Sequence, residues 1–279
     1  MFKFNFGKQS SDCENKDHSG KKKDELTWLP AKKIEILSDC ENVEYLTNER
    51  FGQIELKLVD TLVVASKLTT DKCKIISEAE SQHSDLIPAK YEGGLKIWEC
   101  TYDLANYLLK ENVPFSGKTV LDLGCGAGVL GLIALAQGST VDFQDYNAEV
   151  IENVTIPNVM INSNRESAEK CSFYCGDWKS FENLISKDSN NKRYDYIFTS
   201  ETIYNSDNHQ KLYNIFKRTL KSDGIGYIAG KSLYFGVGGS MSQFVQLVLE
   251  DGIFDVSTVW KSEIGVQREV VKLQRKNSA

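Results

Sequence analysis

Glycines at unusually close spacing mark the one stretch of this chain best suited to hold a small molecule: Val120-Leu-Asp122-Leu-Gly124-Cys-Gly126-Ala-Gly128-Val-Leu-Gly131. A chain that turns sharply from strand to helix and lets a ligand approach bare backbone needs residues without a Cβ. Gly126, Gly128 and Gly131 satisfy the dinucleotide-loop spacing literally, so a dinucleotide oxidoreductase has to be considered beside a plain tight turn that holds nothing. Asp122 tips the balance. Its carboxylate stands just before the first glycine, where it suits a cationic ligand group, directly or through water, and opposes a pyrophosphate. That favours S-adenosylmethionine, whose amino and sulfonium groups are both positive. Asp145, about 20 residues further on, fits a carboxylate that accepts both ribose hydroxyls and would serve either cofactor. Cys175-Gly176-Asp177-Trp178 supplies a carboxylate and an indole that could bond and cover an adenine, although Trp178 alone could equally be a core residue.

These residues need a scaffold of alternating strands and helices, and from about residue 88 the pattern provides one. Strands are expected over 118–124, 140–145, 172–176, 194–200, 224–230, 254–261 and 269–273. Helices are expected over 95–110, 129–137, 209–220 and 242–249, and in part over 148–162, where Pro157 should break or kink the run. Two final strands without an intervening helix imply an antiparallel hairpin. The fold class is α/β: a Rossmann-like, seven-stranded, mostly parallel sheet with helices on both faces and a C-terminal antiparallel hairpin. Residues 26–87 read as an N-terminal extension carrying a strand or hairpin, with clear alternation over 54–59. Residues 1–25 read as a disordered tail: the stretch 8–25 has Cys13 as its one apolar-class side chain, and Lys21, Lys22 and Lys23 run straight into Asp24 and Glu25.

With 279 residues, 41% of them apolar, core size is not limiting and no disulfide staple is required. A net charge of -6 argues against a broad grip on bare nucleic acid, leaving open a local basic patch. No apolar run approaches the roughly 18 to 20 residues of a membrane span, and the first eight residues lack a secretory h-region. Seven scattered cysteines with no Cys-x-x-Cys pair fit reduced thiols in the cytoplasm or nucleus. Cys171 and Cys175 read as small apolar thiols flanking a buried strand rather than as half of a metal site.

Four further stretches, in order, carry a specific resemblance: Tyr91-Glu-Gly-Gly-Leu-Lys-Ile-Trp98-Glu99-Cys100-Thr101, Gln144-Asp145-Tyr146-Asn147, Ser200-Glu201-Thr202-Ile203-Tyr204-Asn205 and Tyr234-Phe-Gly-Val-Gly-Gly239. The glycine loop and Asp145 resemble the class I methyltransferases that use S-adenosylmethionine, and the four stretches together are similar to the histidine protein methyltransferases. The resemblance spans about residues 88–279. It implies that Ile97, Trp98, Glu99, Cys100 and Thr101 lie across the methionine end of the cofactor, with Gly124 beneath it. Gln144, Asp145 and Tyr146 would then hold the ribose and adenine edge, Gly176, Asp177 and Trp178 the adenine ring, and Ser200 would close the pocket; Asp122 and Gly126 join this set from the glycine loop. It also implies a substrate: one histidine of a large-subunit ribosomal protein. The expected protein is a monomer of the cytoplasm and nucleus that acts without membrane or direct nucleic acid contact.

Methyl transfer from a sulfonium is an in-line displacement, which demands above all that nucleophile, methyl and sulfur be collinear and nearly touching. A neutral imidazole already offers a lone pair, so the enzyme has to choose the tautomer and hold the other N–H. Glu201 is the candidate for that task, with Tyr204 and Asn205 shaping the pocket beyond the carboxyl end of the fourth strand. A solvated loop acid is the plainer reading of Glu201. Phe235-Gly-Val-Gly-Gly239 would form a flexible wall of the substrate cleft, while His18, His83 and His209 lie outside every motif. Three rivals stay open. Glu201-x-x-Tyr204 also resembles the acid-x-x-aromatic signature of lysine methyltransferases, a non-catalytic cofactor-binding assembly factor would carry the same loop, and a NAD-dependent oxidoreductase lacks any recognisable hydride-transfer constellation.

Overall fold

The computed structural model describes residues 27–36, 45–70, 78–79, 84–187 and 192–276. The expected tail, Lys21 to Lys23, His18 and His83 lie outside those residues.

Short apolar runs form the strands that position the site. Strands β4 (Thr119–Leu123), β5 (Thr140–Asp145), β6 (Ser172–Cys175), β7 (Tyr194–Ser200) and β8 (Leu220–Lys231) run parallel, and β9 (Phe254–Lys261) and β10 (Arg268–Arg275) close the sheet as an antiparallel pair. Strand β4 is almost wholly buried, as expected of a central parallel strand covered on both faces. The extension adds β1 (Lys32–Ile34), which pairs antiparallel with β6 and makes the sheet eight-stranded in the order β1-β6-β5-β4-β7-β8-β10-β9. The other seven strands are those expected from residue 88 onward. From β4 the chain winds one way to β5 and β6, and β7 and β8 lie on its other side. The order therefore reverses between β4 and β7, where ligands of open α/β sheets bind beyond the carboxyl ends.

The extension is part of the body. Strands β2 (Leu46–Phe51) and β3 (Ile54–Val59) form a hairpin followed by α1 (Thr61–Thr70), and Phe51, Leu56 and Leu58 are buried in the shared core. The backbone N–H of Val59 donates to Asn158 and that of Lys57 to Asn162, so side-chain amides satisfy the free edge of β3.

Two expectations about helices need correction. Helix α2 spans Glu99–Lys110 and starts four residues later than the apolar spacing suggested. Gly93 has φ +78°, Trp98 is extended at the N-cap, and residues 91–98 arch over the cleft instead of joining the helix. Of the break or kink expected at Pro157, the break does not occur. Helix α4 runs over 148–162 with a wide π turn at Ile151–Thr155, so the proline sits in the first turn of the segment that follows, where its missing N–H costs little. Among the described residues the remaining helices are α3 (Val129–Ala136), α5 (Arg165–Glu169), α6 (Trp178–Ser186), α7 (His209–Thr219) and α8 (Met241–Asp251). The sequence pattern does not announce α1, α5 and α6.

Candidate active site

A cleft of about 760 Å³ opens at the carboxyl ends of β4, β5, β6 and β7. Its floor is the glycine loop, where Gly124, Gly126 and Gly128 all have positive φ. The space above Gly124 is used as well: a Cβ there would come within 2.6 Å of the Thr202 methyl. Asp145 lines the cleft and fixes this floor by accepting the Gly126 N–H at 2.9 Å, while burial raises its carboxyl above the ordinary range. Thr155, in the wide turn of α4, braces the loop from outside by donating to the Gly126 carbonyl at 2.7 Å.

At one end stands Trp178, whose indole N–H donates to Gln144 at 3.0 Å; Gln144 in turn donates to the carbonyls of Asp145 and Gly176. Asp177 caps α6 through the Lys179 and Ser180 N–H groups and pairs with Lys211 at 2.7 Å. The Lys211 ammonium also lies 3.5 Å from the Trp28 ring, and Trp28 meets Tyr146 edge-on. Tyr146 donates to the Ala89 carbonyl and accepts the Leu29 N–H, which ties the arch, the cleft and the segment before β1 together.

The other end carries the acids. Glu92 accepts the Ala89 N–H at 2.9 Å and the Tyr204 hydroxyl; burial pushes both the Glu92 carboxyl and the Tyr204 phenol above their ordinary values. Thr101 donates to Ser200 at 3.2 Å, and the Trp98 indole N–H donates to the Gly93 carbonyl. Glu201 is a non-glycine residue at φ +58°, its N–H bonded to the Ala229 carbonyl. Both of its carboxylate oxygens are buried without a hydrogen-bond partner. The ring of His209 sits 2.8 Å from the Ile203 carbonyl and steadies the same loop.

Of the expected site residues, Ile97, Trp98, Thr101, Gly124, Gly126, Asp145, Tyr146, Gly176, Asp177, Trp178, Ser200, Glu201 and Tyr204 line the cleft. Five do not, and each has a physical reason. Asp122 lies under the loop and accepts the Gly131 N–H at 2.8 Å, so it pins strand to helix instead of facing a cation; burial lifts its carboxyl to about 7. Gln144 acts through Trp178 from a fully buried position. Cys100 is packed beneath Glu201, and burial drives its thiol far up. Glu99 points to Lys231 at 3.3 Å, and Asn205 caps the short turn Ser206–Asn208. Trp28, Glu92, Gly93, Gly94, Lys96, Cys125, Ala127, Val129, Thr202 and Asn208 line the cleft as well. All but Trp28 and Asn208 fall inside the motifs given above, whereas those two carry no local signal.

S-adenosylmethionine fits this cleft. Bare glycine backbone gives room for it, an indole at one end suits the adenine with Asp145 beside it for the ribose hydroxyls, and Glu92 at the other end suits its cationic amino group. A methyltransferase-domain profile matches residues 114–263. The histidine protein methyltransferase 1 homologue of Bos taurus is 44% identical across 71% of this chain and 60% of its own length. That of Mus musculus is 38% identical across 91% and 77%, and that of Dictyostelium discoideum 44% identical across 69% and 61%. A protein of Streptococcus mutans described as an S-adenosylmethionine-dependent methyltransferase shares the fold at 11% identity, with a TM-score of 0.54 over 84% of this chain and 56% of its own. So does SMU.776, described as a methyltransferase and crystallised with S-adenosylhomocysteine, at 12% identity and a TM-score of 0.53 over 83% and 57%.

Proposed function

Because the chain belongs to the histidine protein methyltransferases, we propose that it transfers the methyl group of S-adenosylmethionine to one histidine of a large-subunit ribosomal protein. The observation that carries this reading is the Glu201 carboxylate, a buried acceptor without a hydrogen-bond partner that lines the acidic end of the cleft. An acceptor left unmet in the free protein is costly, and an incoming N–H relieves that cost.

The bound cofactor supplies an electrophilic methyl carbon on a sulfonium leaving group. Glu201 accepts the N–H of one imidazole nitrogen, which leaves the lone pair of the other free to attack and favours the positive charge that the ring gains as the new N–C bond forms. Trp98 and Ile97 wall the same end and exclude water. Asp145 and Trp178 hold the ribose and adenine at the far end, so that binding energy away from the reacting atoms aligns the methyl group. Tyr204 favours histidine over lysine. A lysine ammonium has to lose a proton first, and the Tyr204 phenol is already committed to Glu92, with its own proton held more tightly than usual.

Incubation with S-adenosylmethionine and unmethylated large-subunit ribosomal proteins, followed by tandem mass spectrometry, tests the proposal. One methyl group on one histidine is the expected product. Methylation of lysine would replace the target residue, and no transfer to any of these proteins would remove the ribosomal substrate.

A further inference from the structure

The buried Glu201 carboxylate, without a hydrogen-bond partner, has a counter-charge close by. The Glu201 side chain is 1% exposed, and among the described residues the cation within 4 Å of it is Lys231, with Nζ 3.7 Å from Oε1. Lys231 is itself buried at the carboxyl end of β8, with 9% of its side chain exposed. Its ammonium lies 3.3 Å from Glu99 Oε2 and stands off the Trp98 ring at 5.8 Å. Glu99, the first residue of α2, is half exposed; against the effect of burial, a hydrogen bond from its own backbone and the Lys231 charge hold its carboxyl below the ordinary value. The Cys100 thiol and the Tyr234 phenol also face Glu201; burial first, and then the charge of Glu201 and hydrogen bonding to it, raise both above their ordinary values, although neither meets a Glu201 oxygen with full hydrogen-bond geometry.

Lys231 therefore stands between two carboxylates, closer to the outer one. The geometry points to Lys231 as the positioning residue for methyl transfer: it balances the charge of Glu201 from a distance at which it takes up neither of the carboxylate's oxygens. Glu99 anchors the ammonium and keeps it from closing on Glu201. The acceptor is thus buried, faced by a cation and open to the N–H of a nucleophile, a combination that an ordinary buried ion pair, closed upon itself, does not offer. This inference rests on the role given to Glu201 above and is indifferent to which protein is methylated.

The test is a pair of double-mutant cycles in the full chain with Lys231→Met, Lys231→Arg, Glu201→Gln and the Lys231→Met/Glu201→Gln double variant. The first cycle needs no substrate. Lys231→Met should lower the melting temperature by about 5 °C or more by stranding a buried charge, and adding Glu201→Gln should restore most of the loss. An unchanged melting temperature, or one that Glu201→Gln does not restore, overturns the proposal. The second cycle follows transfer of labelled methyl to large-subunit ribosomal proteins. Lys231→Met should cut kcat by about 30-fold or more with KM and cofactor affinity within about threefold, Lys231→Arg should recover much of it, and the double variant should be no slower than Glu201→Gln alone. Additive losses, or an arginine variant no better than methionine, overturn it. Absence of transfer by the wild type counts against the ribosomal substrate, and the melting cycle then still decides whether Lys231 balances Glu201.

Discussion

At the scale of single residues, the cleft separates holding from reacting. Trp178, Asp177, Tyr146 and Asp145 have their polar atoms bonded within the protein, a preorganised frame at one end. Glu201 at the other end has neither oxygen hydrogen-bonded and sits in the left-handed region that a side chain rarely adopts. That cost persists because Ile203, Tyr204 and Gly239 lock the loop: the Gly239 N–H donates to the Tyr204 carbonyl at 2.8 Å, and a Cβ on Gly239 would strike that backbone at 2.4 Å. Glu201→Gln keeps the shape and removes the charge. It should lower kcat by about 10²-fold while leaving cofactor affinity within a factor of about three. Equal turnover in a radiolabel transfer assay would remove Glu201 from the reaction.

At the scale of elements, the cofactor end is completed by a segment far away in sequence. Strand β1 lies along β6, the Ala31 N–H donates to Ser180, and the Leu29 carbonyl accepts the Asp177 N–H, so Trp28 is carried to the mouth of the cleft. Gly176 permits that docking. Its φ is +106°, and a Cβ there would lie 2.5 Å from the Ala31 Cα and 2.7 Å from the Pro30 carbonyl oxygen, both backbone atoms that cannot step aside cheaply. Gly176→Ala should push the segment off β6 and weaken S-adenosylhomocysteine binding by about tenfold, and Trp28→Ala should weaken it in the same direction. Titration calorimetry on both variants checks this; an unaltered affinity in both would show that the segment plays no part in holding the cofactor. The contrast explains what was legible beforehand. Strands β4, β5 and β7 and the glycine loop announce themselves through local apolar runs and local backbone demands, and so do Gly124, Asp145 and Ser200 at their ends. Trp28 and the bond from Asp122 to Gly131 depend on register and on the direction of a side chain beneath a loop, neither of which a spacing pattern encodes. Pro157 leaves the run helical because a wide turn at Ile151–Thr155 precedes it, a feature that no spacing pattern announces.

At the scale of the whole molecule, the buried acids under the cleft tie stability to pH. Asp122 is 2% exposed; burial raises its carboxyl to about 7, against the partial relief of the Gly131 N–H and with the Asp145 charge adding to the rise. In the unfolded chain the same group titrates near ~3.9. Between about pH 4 and pH 7 the native state therefore holds a proton that the unfolded state has lost, so this group's contribution falls as pH rises across that window and is level above it. Asp195 works the other way. Burial alone would raise it, but bonds from Lys221 and Thr119 hold it at about 2, so its contribution is present above ~4 and fades as pH drops toward 2. The native stability curve sums both with Glu92 and Asp145, but the difference between wild type and Asp122→Asn isolates the first. Asparagine can still accept the Gly131 N–H through its carbonyl oxygen and carries no charge to desolvate. In urea titrations without cofactor, the variant should gain on the wild type by about 2–4 kcal/mol between pH 5 and pH 8, most of it before pH 7. A difference that does not change with pH would mean that Asp122 is ionised throughout. Its charge would then have to be balanced from the glycine loop, and the floor of the cleft would be a charged support in place of a neutral one.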